Sequence, residues 1–225
     1  VTGVQTCALP ILAPLTRPWP DPGAIDATVD YLKKSERPVL LIGGGAGYAG
    51  AGEALLRVAE RLNCPVVNTP TSRSVMPESH VLVLGPSGIV GYEPIGAAIA
   101  EADLVIAVGS RLSDLQLSRD ELLPVDVPVV QVDIEGSVLA TDPVPTLGVL
   151  SDARAFAENL DTALEAALLP VPDARRAWAE TLATQTKNWF SAWHEATPTN
   201  GKLQPQELVT GLAALPDDTI YVHGA

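Results

Sequence analysis

A cluster of glycines in the first quarter of the chain is the arrangement of residues best suited to bind a ligand. An apolar run at residues 39–42 leads into the cluster, and an amphipathic helix is predicted over residues 51–62. A glycine turn between a buried strand and a helix lets ligand phosphates approach backbone N–H groups at the positive end of the helix dipole. A tight turn that binds no ligand would also use glycine. The glycines are Gly43, Gly44, Gly45 and Gly47.

The histidines and cysteines do not form a pattern that predicts catalysis or metal binding. His80, His194 and His223 are far apart in sequence, without the spacing of metal ligands. Cys64 stands before a proline at a predicted helix-to-strand turn and is interpreted as a small buried apolar residue. We therefore predict no catalytic residue and no metal ligand in this chain.

Both ends of the sequence suggest a piece of a longer reading frame. Residues 1–11, VTGVQTCALPI, match one translated frame of a common sequencing adapter, so they are interpreted as an artefact and set aside with Cys7. The chain stops at YVHGA, within a predicted strand and turn. We expect further segments on both sides.

The composition excludes several classes of function. The 225 residues carry a net charge of −13, which argues against binding nucleic acid or an anionic membrane surface. No apolar run approaches the roughly 20 residues that a membrane-spanning helix needs. With one cysteine left there is no disulfide framework, which suits the reducing cytoplasm.

The elements that must position the glycine cluster alternate between strands and helices. The strands are continuous apolar runs, as in a parallel sheet covered on both faces, and helices between them form βαβ units. We therefore predict an α/β, doubly wound, Rossmann-like domain of about six mainly parallel strands. Strands are predicted at residues 38–42, 65–69, 103–109, 128–134 and 146–150, with 81–85 as strand or loop, and helices at 26–34, 51–62, 94–101 and 152–168.

A long helix follows a proline-bounded break at residues 169–172. It is predicted over residues 174–196, and its aromatic residues are interpreted as packing against a neighbouring domain. A shorter helix at 205–215 and a strand at 219–222 come next. The predicted divisions are 1–11 (artefact), 12–35 (linker and first helix), 36–168 (nucleotide-binding-type domain), 169–204 (helical linker) and 205–225 (the start of a further domain). The aromatic residues are Trp178, Trp189, Phe190 and Trp193.

An ordered set of motifs resembles the central domain of thiamine-diphosphate-dependent enzymes of the acetolactate synthase type. The tail, LQPQELVTGLAALPDDTIYVHGA, is similar to the start of the C-terminal domain that binds thiamine diphosphate in this family. Each motif is weak alone, whereas the order and spacing of the set are specific. The motifs are RPVLLIGGG, CPVVNTPTSRSVMPESH, EADLVIAVGSRLSD, PVVQVDIEG and GVLSDARAFAENL.

The resemblance implies a nucleotide site at the carboxyl ends of the strands. Central domains of this family bind FAD or an ADP group in some members and nothing in others. The implied contacts are Gly43, Gly44 and Gly45 to a diphosphate, Thr69 at the next strand end, Gly109, Ser110 and Arg111 lining the site, Asp133 and Ile134 beside a ribose or adenine, and Asp152 nearby. Arg111 could pair with phosphate through two hydrogen bonds. The residues alone also allow Arg111 as a surface ion-pairing residue, Asp133 as a turn residue and Asp152 as a helix N-cap.

The resemblance also implies an activity for a full-length parent protein. That protein would be a carboligase or decarboxylase acting on 2-keto acids, a lyase or transferase that assembles as a homodimer or homotetramer. Thiamine diphosphate and Mg²⁺ would be held by segments before residue 12 and after residue 225, so we expect this chain alone to be inactive. Ser72, Arg73 and Ser74 replace a family pattern that contains lysine and glycine, and Gly224 stands where an acidic residue is common.

Two other functions remain open at this point. The chain could be a stand-alone module that binds a nucleotide or flavin without thiamine chemistry. It could also be a vestigial structural domain that binds nothing, which the change at residues 72–74 would allow.

Overall fold

A parallel sheet organises the part of the chain that the structure describes. The computed structural model describes residues 16–112, 123, 126–140, 145–194, 205–216 and 219. Within these ranges one six-stranded sheet forms, all neighbouring strands are parallel, and their order is β3-β2-β1-β4-β5-β6. The predicted doubly wound, Rossmann-like fold of about six strands is confirmed. The strands are β1 (Pro38–Ile42), β2 (Val66–Asn68), β3 (Val83–Pro86), β4 (Leu104–Val108), β5 (Val129–Asp133) and β6 (Leu147–Leu150).

Burial along the strands explains why their sequences are continuous apolar runs. All residues of β1 and β4 are buried, because helices cover both faces at the centre of the sheet. At the edge, β6 exposes Gly148 and Leu150. The segment 81–85, for which the sequence allowed strand or loop, contributes to β3 at the opposite edge.

Helices form a layer on each face of the sheet. One layer contains α1, α3 and α5, which pack on one another, and in the other layer α4 packs against α6. The helices are α1 (Pro22–Lys34), α2 (Gly44–Ala49), α3 (Gly52–Leu62), α4 (Glu93–Ala100), α5 (Ala153–Ala167), α6 (Asp173–His194) and α7 (Pro205–Ala213).

Two helical segments differ from the predicted boundaries. The first helix begins at Pro22 rather than at residue 26, because the Asp21 side chain accepts a hydrogen bond from the Gly23 N–H (2.8 Å) and proline is favourable at a helix start. The glycine cluster is not a simple turn into the long helix. It forms the six-residue helix α2, which ends at Gly50 (φ +65°), and the longer helix α3 begins only at Gly52.

Arg175 attaches the start of α6 to the ends of two other helices. The residue is 2% exposed, and its guanidinium donates hydrogen bonds to the carbonyl oxygens of Leu32 (2.8 Å), Leu62 (3.4 Å) and Ser35. Leu32 lies in the last turn of α1, Ser35 follows that helix, and Leu62 is the last residue of α3. Burial lowers the pKa of Arg175, but the carbonyls at the negative ends of the two helix dipoles favour its charge.

The aromatic residues of α6 pack on the sheet layer itself. Trp189 stacks on Tyr92, the residue before α4, with ring centroids 4.5 Å apart, and Phe190 meets Tyr92 edge-on at 4.8 Å. Trp178 is partly buried against the same core. Trp189 and Phe190, on the predicted helical linker, therefore pack against the neighbouring unit at residues 36–168, as the sequence interpretation expected. The predicted domain limits, including the linker at 169–204, stay predictions.

Some sequence predictions cannot be compared with the structure. The artefact segment 1–11, the strand at 219–222 and the stretch 195–204 lie mainly or entirely outside the described residues. None of the helices in the described ranges combines the length and apolar character that crossing a membrane requires.

Candidate functional site

The order of the strands creates a crevice at the carboxyl ends of β1 and β4. From β1 the chain continues to β2 and β3 on one side and then returns to β4 on the other. Connections that leave neighbouring strands in opposite directions open a crevice above the sheet, where open α/β folds bind their ligands. The glycine cluster follows β1 and Gly109 follows β4, so both lie at this point.

Direct backbone contact between the two loops accounts for three of the predicted glycines. The Gly43 N–H donates to the Val108 carbonyl and the Gly45 N–H to the Gly109 carbonyl, each at 3.0 Å. A Cβ atom on Gly43 would lie 2.1 Å from the Gly109 oxygen, and one on Gly109, whose φ is +63°, would lie 2.5 Å from the nitrogen of Ala46. Backbone packing by itself is therefore enough to require glycine at these positions, which agrees with the ligand-free interpretation that the sequence left open.

Gly44, at the start of α2, packs against the hydrogen-bonded turn that Thr69 begins after β2. A Cβ on Gly44 would lie 3.1 Å from the Thr71 Oγ1 atom. The buried Thr69 side chain lies 3.1 Å from the hydroxyls of Thr71 and Ser72 and caps a 3-10 turn at Pro70–Ser72. The Ser72 hydroxyl also donates to the Ile42 carbonyl at 2.5 Å. Ser72, one of the residues that differ from the family pattern, therefore connects the turn to β1.

Five of the ten predicted site residues line one cleft. The cleft has a volume of about 260 Å³ and lies over the ends of β4, β5 and β6. A second pocket of about 480 Å³ shares Tyr48 with it and is lined by Gly44, Thr71 and Ser74. The predicted residues that line the cleft are Gly45, Gly109, Asp133, Ile134 and Asp152.

Three other predicted residues do not line the cleft. Gly43 is enclosed by the Gly109 loop, as described above, and Ser110 is buried, with its carbonyl accepting a hydrogen bond from Gln131 Nε2 at 2.9 Å. Arg111 is exposed. The pKa of Glu135 is lowered mainly by hydrogen bonds from Ser137 and to a smaller extent by the charge of Arg111, so Arg111 lies near the turn after β5.

The two carboxylates of the cleft differ in their hydrogen bonding. Asp152 is the N-cap of α5, where its Oδ1 accepts the N–H groups of Arg154 and Ala155 at 3.0 Å, and Arg17 Nη1 lies 3.0 Å from the same atom. The Asp133 Oδ1 accepts only the Glu135 N–H (2.9 Å) in the described part of the chain. Asp133 therefore has more capacity to accept hydrogen bonds from a ligand.

Sequence reasoning missed two residues of the cleft region. Arg17 Nη1 donates to the Ala49 carbonyl at 2.9 Å as well as to Asp152, and so bridges two lining residues. Its position in a proline-rich segment carries no signal for this role. Tyr48, the only aromatic residue within the glycine cluster region, is 97% exposed and borders both pockets. An aromatic residue among glycines was a usable signal.

The remaining titratable candidates have structural partners. His80 Nε2 lies 3.2 Å from Glu60 Oε1, and its Nδ1 accepts the Leu82 N–H at 3.3 Å. Cys64 is buried, and burial raises the pKa of its thiol to about 12. Within the described ranges no group of three or more His, Cys, Asp or Glu residues could hold a metal ion.

Comparisons with known proteins agree on one family. The family model described as "Thiamine pyrophosphate enzyme, central domain" matches residues 25–160, more than half of the chain. A 3D-(3,5/4)-trihydroxycyclohexane-1,2-dione hydrolase of Clostridium perfringens is 30% identical over 81% of this chain and 29% of its own length. The acetolactate synthase large subunit of Lactococcus lactis is 30% identical over 79% of this chain and 30% of its own.

A solved structure supports the same relationship. It is a protein from Mycobacterium smegmatis described as a thiamin diphosphate-dependent enzyme, with 25% identity and a TM-score of 0.58 over 73% of this chain and 31% of that chain. The present chain thus spans less than a third of the length of each of these proteins. The family-model match over residues 25–160 and the relatives of 30% identity show that the chain belongs to the thiamine pyrophosphate enzyme family, of which it carries the central domain.

Proposed function

We propose that this chain is the central part of a carboligase or decarboxylase that acts on 2-keto acids. The relatives named above are a hydrolase and a synthase, which supports the family chemistry but does not separate its reactions. Thiamine diphosphate, when bound, supplies the carbanion that attacks the keto carbon and accepts electrons as CO₂ leaves. We propose that it binds with Mg²⁺ to other segments of a homodimeric or homotetrameric cytoplasmic protein.

We further propose that the cleft binds the ADP group of ADP or FAD. The observation that carries this proposal is that five predicted residues line one cleft, although they lie at or just after the ends of four different strands, β1, β4, β5 and β6. They are Gly45, Gly109, Asp133, Ile134 and Asp152. The cleft lies at the carboxyl ends of parallel strands beside the β1–β4 crevice. Its volume, about 260 Å³, is slightly below the roughly 300 Å³ at which small-molecule pockets begin, so it suits one part of a nucleotide rather than a whole dinucleotide.

Each polar group of the cleft has a distinct role in this proposal. Asp133 accepts one backbone hydrogen bond, which leaves acceptor capacity for ribose hydroxyls. Asp152 is committed to the start of α5 and to Arg17, so it shapes the cleft without binding ligand directly. Arg17 is half-exposed and supplies positive charge at the rim, where a phosphate would otherwise meet two carboxylates.

A structural domain that binds no ligand is the second candidate. The contacts between Gly43, Gly45 and Gly109 favour it, because they explain these glycines without a phosphate. Nucleotide binding by the purified chain separates this candidate from the proposed nucleotide site. It does not separate a stand-alone nucleotide module from the central part of a larger enzyme. The thiamine chemistry needs the parent protein.

Isothermal titration of the purified chain with ADP and FAD tests the cleft. We expect saturable binding that falls about ten-fold or more in Asp133→Asn, because hydrogen bonds to a charged group contribute about 1.5–3 kcal/mol. Asp173→Asn is the matched control, since Asp173 is fully exposed at the start of α6, away from the cleft. Absence of binding by the unmodified chain would establish the structural domain instead.

A further inference from the structure

Among the large hydrophobic residues that the structure describes, Tyr48 is the most exposed. Its side chain is 97% accessible at the end of α2, and it has no ring partner among the described residues. The residue borders both the cleft and the second pocket. A large aromatic group left exposed at the border of a cleft is a common feature of ligand sites, because a ligand ring can cover it.

Ile134 is a second exposed apolar side chain that lines the cleft. It follows β5 and is 63% exposed. The strands β1 and β5 are separated only by β4, so their ends lie about 10 Å apart at the usual strand spacing. Gly109 follows β4 between them and has no side chain to fill the space.

Both side chains line the same cleft, Tyr48 from the end of α2 and Ile134 from the position after β5. Apolar side chains contact a planar ring at about 3.5–4.0 Å, and an aromatic side chain can stack on its face. The cleft therefore offers a planar ring one aromatic contact and one aliphatic contact.

The polar groups of the cleft and its rim indicate the class of ligand. Asp133, adjacent to Ile134, can accept hydrogen bonds from hydroxyl groups, and Arg17, beside Ala49, brings positive charge to the rim. A planar ring joined to a hydroxylated group and then to an anion is the pattern of a nucleotide. We propose that Tyr48 stacks on the adenine ring of the bound ADP group and holds it against Ile134, an inference that rests on the proposed nucleotide site.

Titration calorimetry with three ligands tests the role of Tyr48. ADP carries the base and phosphates, FAD carries the same group with a flavin, and inorganic pyrophosphate lacks the base. We expect Tyr48→Ala to lower the affinities for ADP and FAD by about five-fold or more, which is the lower end for stacking of a base on an aromatic side chain. The affinity for pyrophosphate should not change. Tyr48→Phe should bind ADP within two-fold of the unmodified chain, because the ring is retained.

The control and the contrary outcomes separate the two proposals. Val90→Ala removes part of another exposed side chain, after β3 at the far edge of the sheet, and should leave all three affinities unchanged. Equal ADP affinity in Tyr48→Ala, or an equal loss for pyrophosphate, would overturn the stacking role while the nucleotide site stands. Absence of ADP and FAD binding by the unmodified chain would overturn both proposals.

Discussion

Replacing Arg175 with methionine should destabilise the domain by about 3 kcal/mol. Methionine keeps most of the apolar stem of Arg175 but removes the guanidinium that donates to Leu32, Ser35 and Leu62. Two of these hydrogen bonds are short enough to be strong, and the third is long at 3.4 Å. Leaving a buried acceptor without its donor costs about 1–3 kcal/mol, so two such losses amount to roughly 2–6 kcal/mol.

A smaller effect acts in the opposite direction. Arg175 lies in the first turn of α6, where a positive charge opposes the helix dipole by about 0.3–1 kcal/mol. Removing the charge recovers this energy, together with the cost of burying it. These gains reduce the loss but do not cancel it, because three carbonyls at the ends of two helices lose a donor.

Urea denaturation followed by far-UV circular dichroism measures the free energy of unfolding. For a chain of this size a loss of about 3 kcal/mol corresponds to a melting temperature lower by roughly 6–12 °C. Near-UV circular dichroism reports on the stack of Tyr92 and Trp189, which would weaken if the start of α6 detached from the sheet layer. The free energy of unfolding of Arg175→Lys should lie between those of the unmodified chain and Arg175→Met, because one ammonium reaches fewer carbonyls than the guanidinium fork.

Arg176→Met is the matched control for this experiment. Arg176 is the next residue and its side chain is about half-exposed. In the described part of the chain this side chain has a hydrogen bond to the Val171 carbonyl and a long ion pair to Asp173. A surface substitution of this kind usually changes the free energy of unfolding by no more than about 0.5 kcal/mol. Equal stabilities of Arg175→Met and Arg176→Met would refute the reasoning that the buried guanidinium attaches α6.

Two further perturbations test the loop contact and an ion pair. Gly109→Ala should lower the free energy of unfolding by more than 2 kcal/mol in urea denaturation, because it adds a backbone overlap at 2.5 Å to the strain of φ +63°. Gly50→Ala, with φ +65° and no atom within 4 Å, should cost only about 1–2 kcal/mol, and equal losses would contradict the role of the overlap. Burial raises the pKa of Asp161, but hydrogen bonds from Arg57 and Arg61 and their positive charges together lower it by more, so the net pKa shift is downward. Its stabilisation is complete above the unfolded-state pKa and disappears as the pH falls through the folded-state value. Asp161→Asn should therefore cost about 1 kcal/mol at pH 7 and nothing near pH 2, and a difference that persisted at low pH would contradict the ion-pair explanation.

The sequence by itself determined the class of fold, because the signals involved are local. A strand buried on both faces must be apolar at every position, so β1 and β4 could be recognised as central strands of a parallel sheet. The N-cap role of Asp152 was also a local signal, since an aspartate before an apolar helical run caps the helix that follows. The start of α1 was missed by four residues because the competing local signals, Asp21 and Pro22, lie in a proline-rich segment.

Only the tertiary structure decided what the candidate site residues do. Gly43 and Gly109 contact one another because β1 and β4 are neighbours in the sheet, which no property of either loop alone reveals. Arg17 meets Asp152 across 135 residues of sequence, and Arg175 reaches Leu32 across 143. These contacts depend on strand order and helix packing, because residues distant in the chain become neighbours only when the whole sheet has assembled.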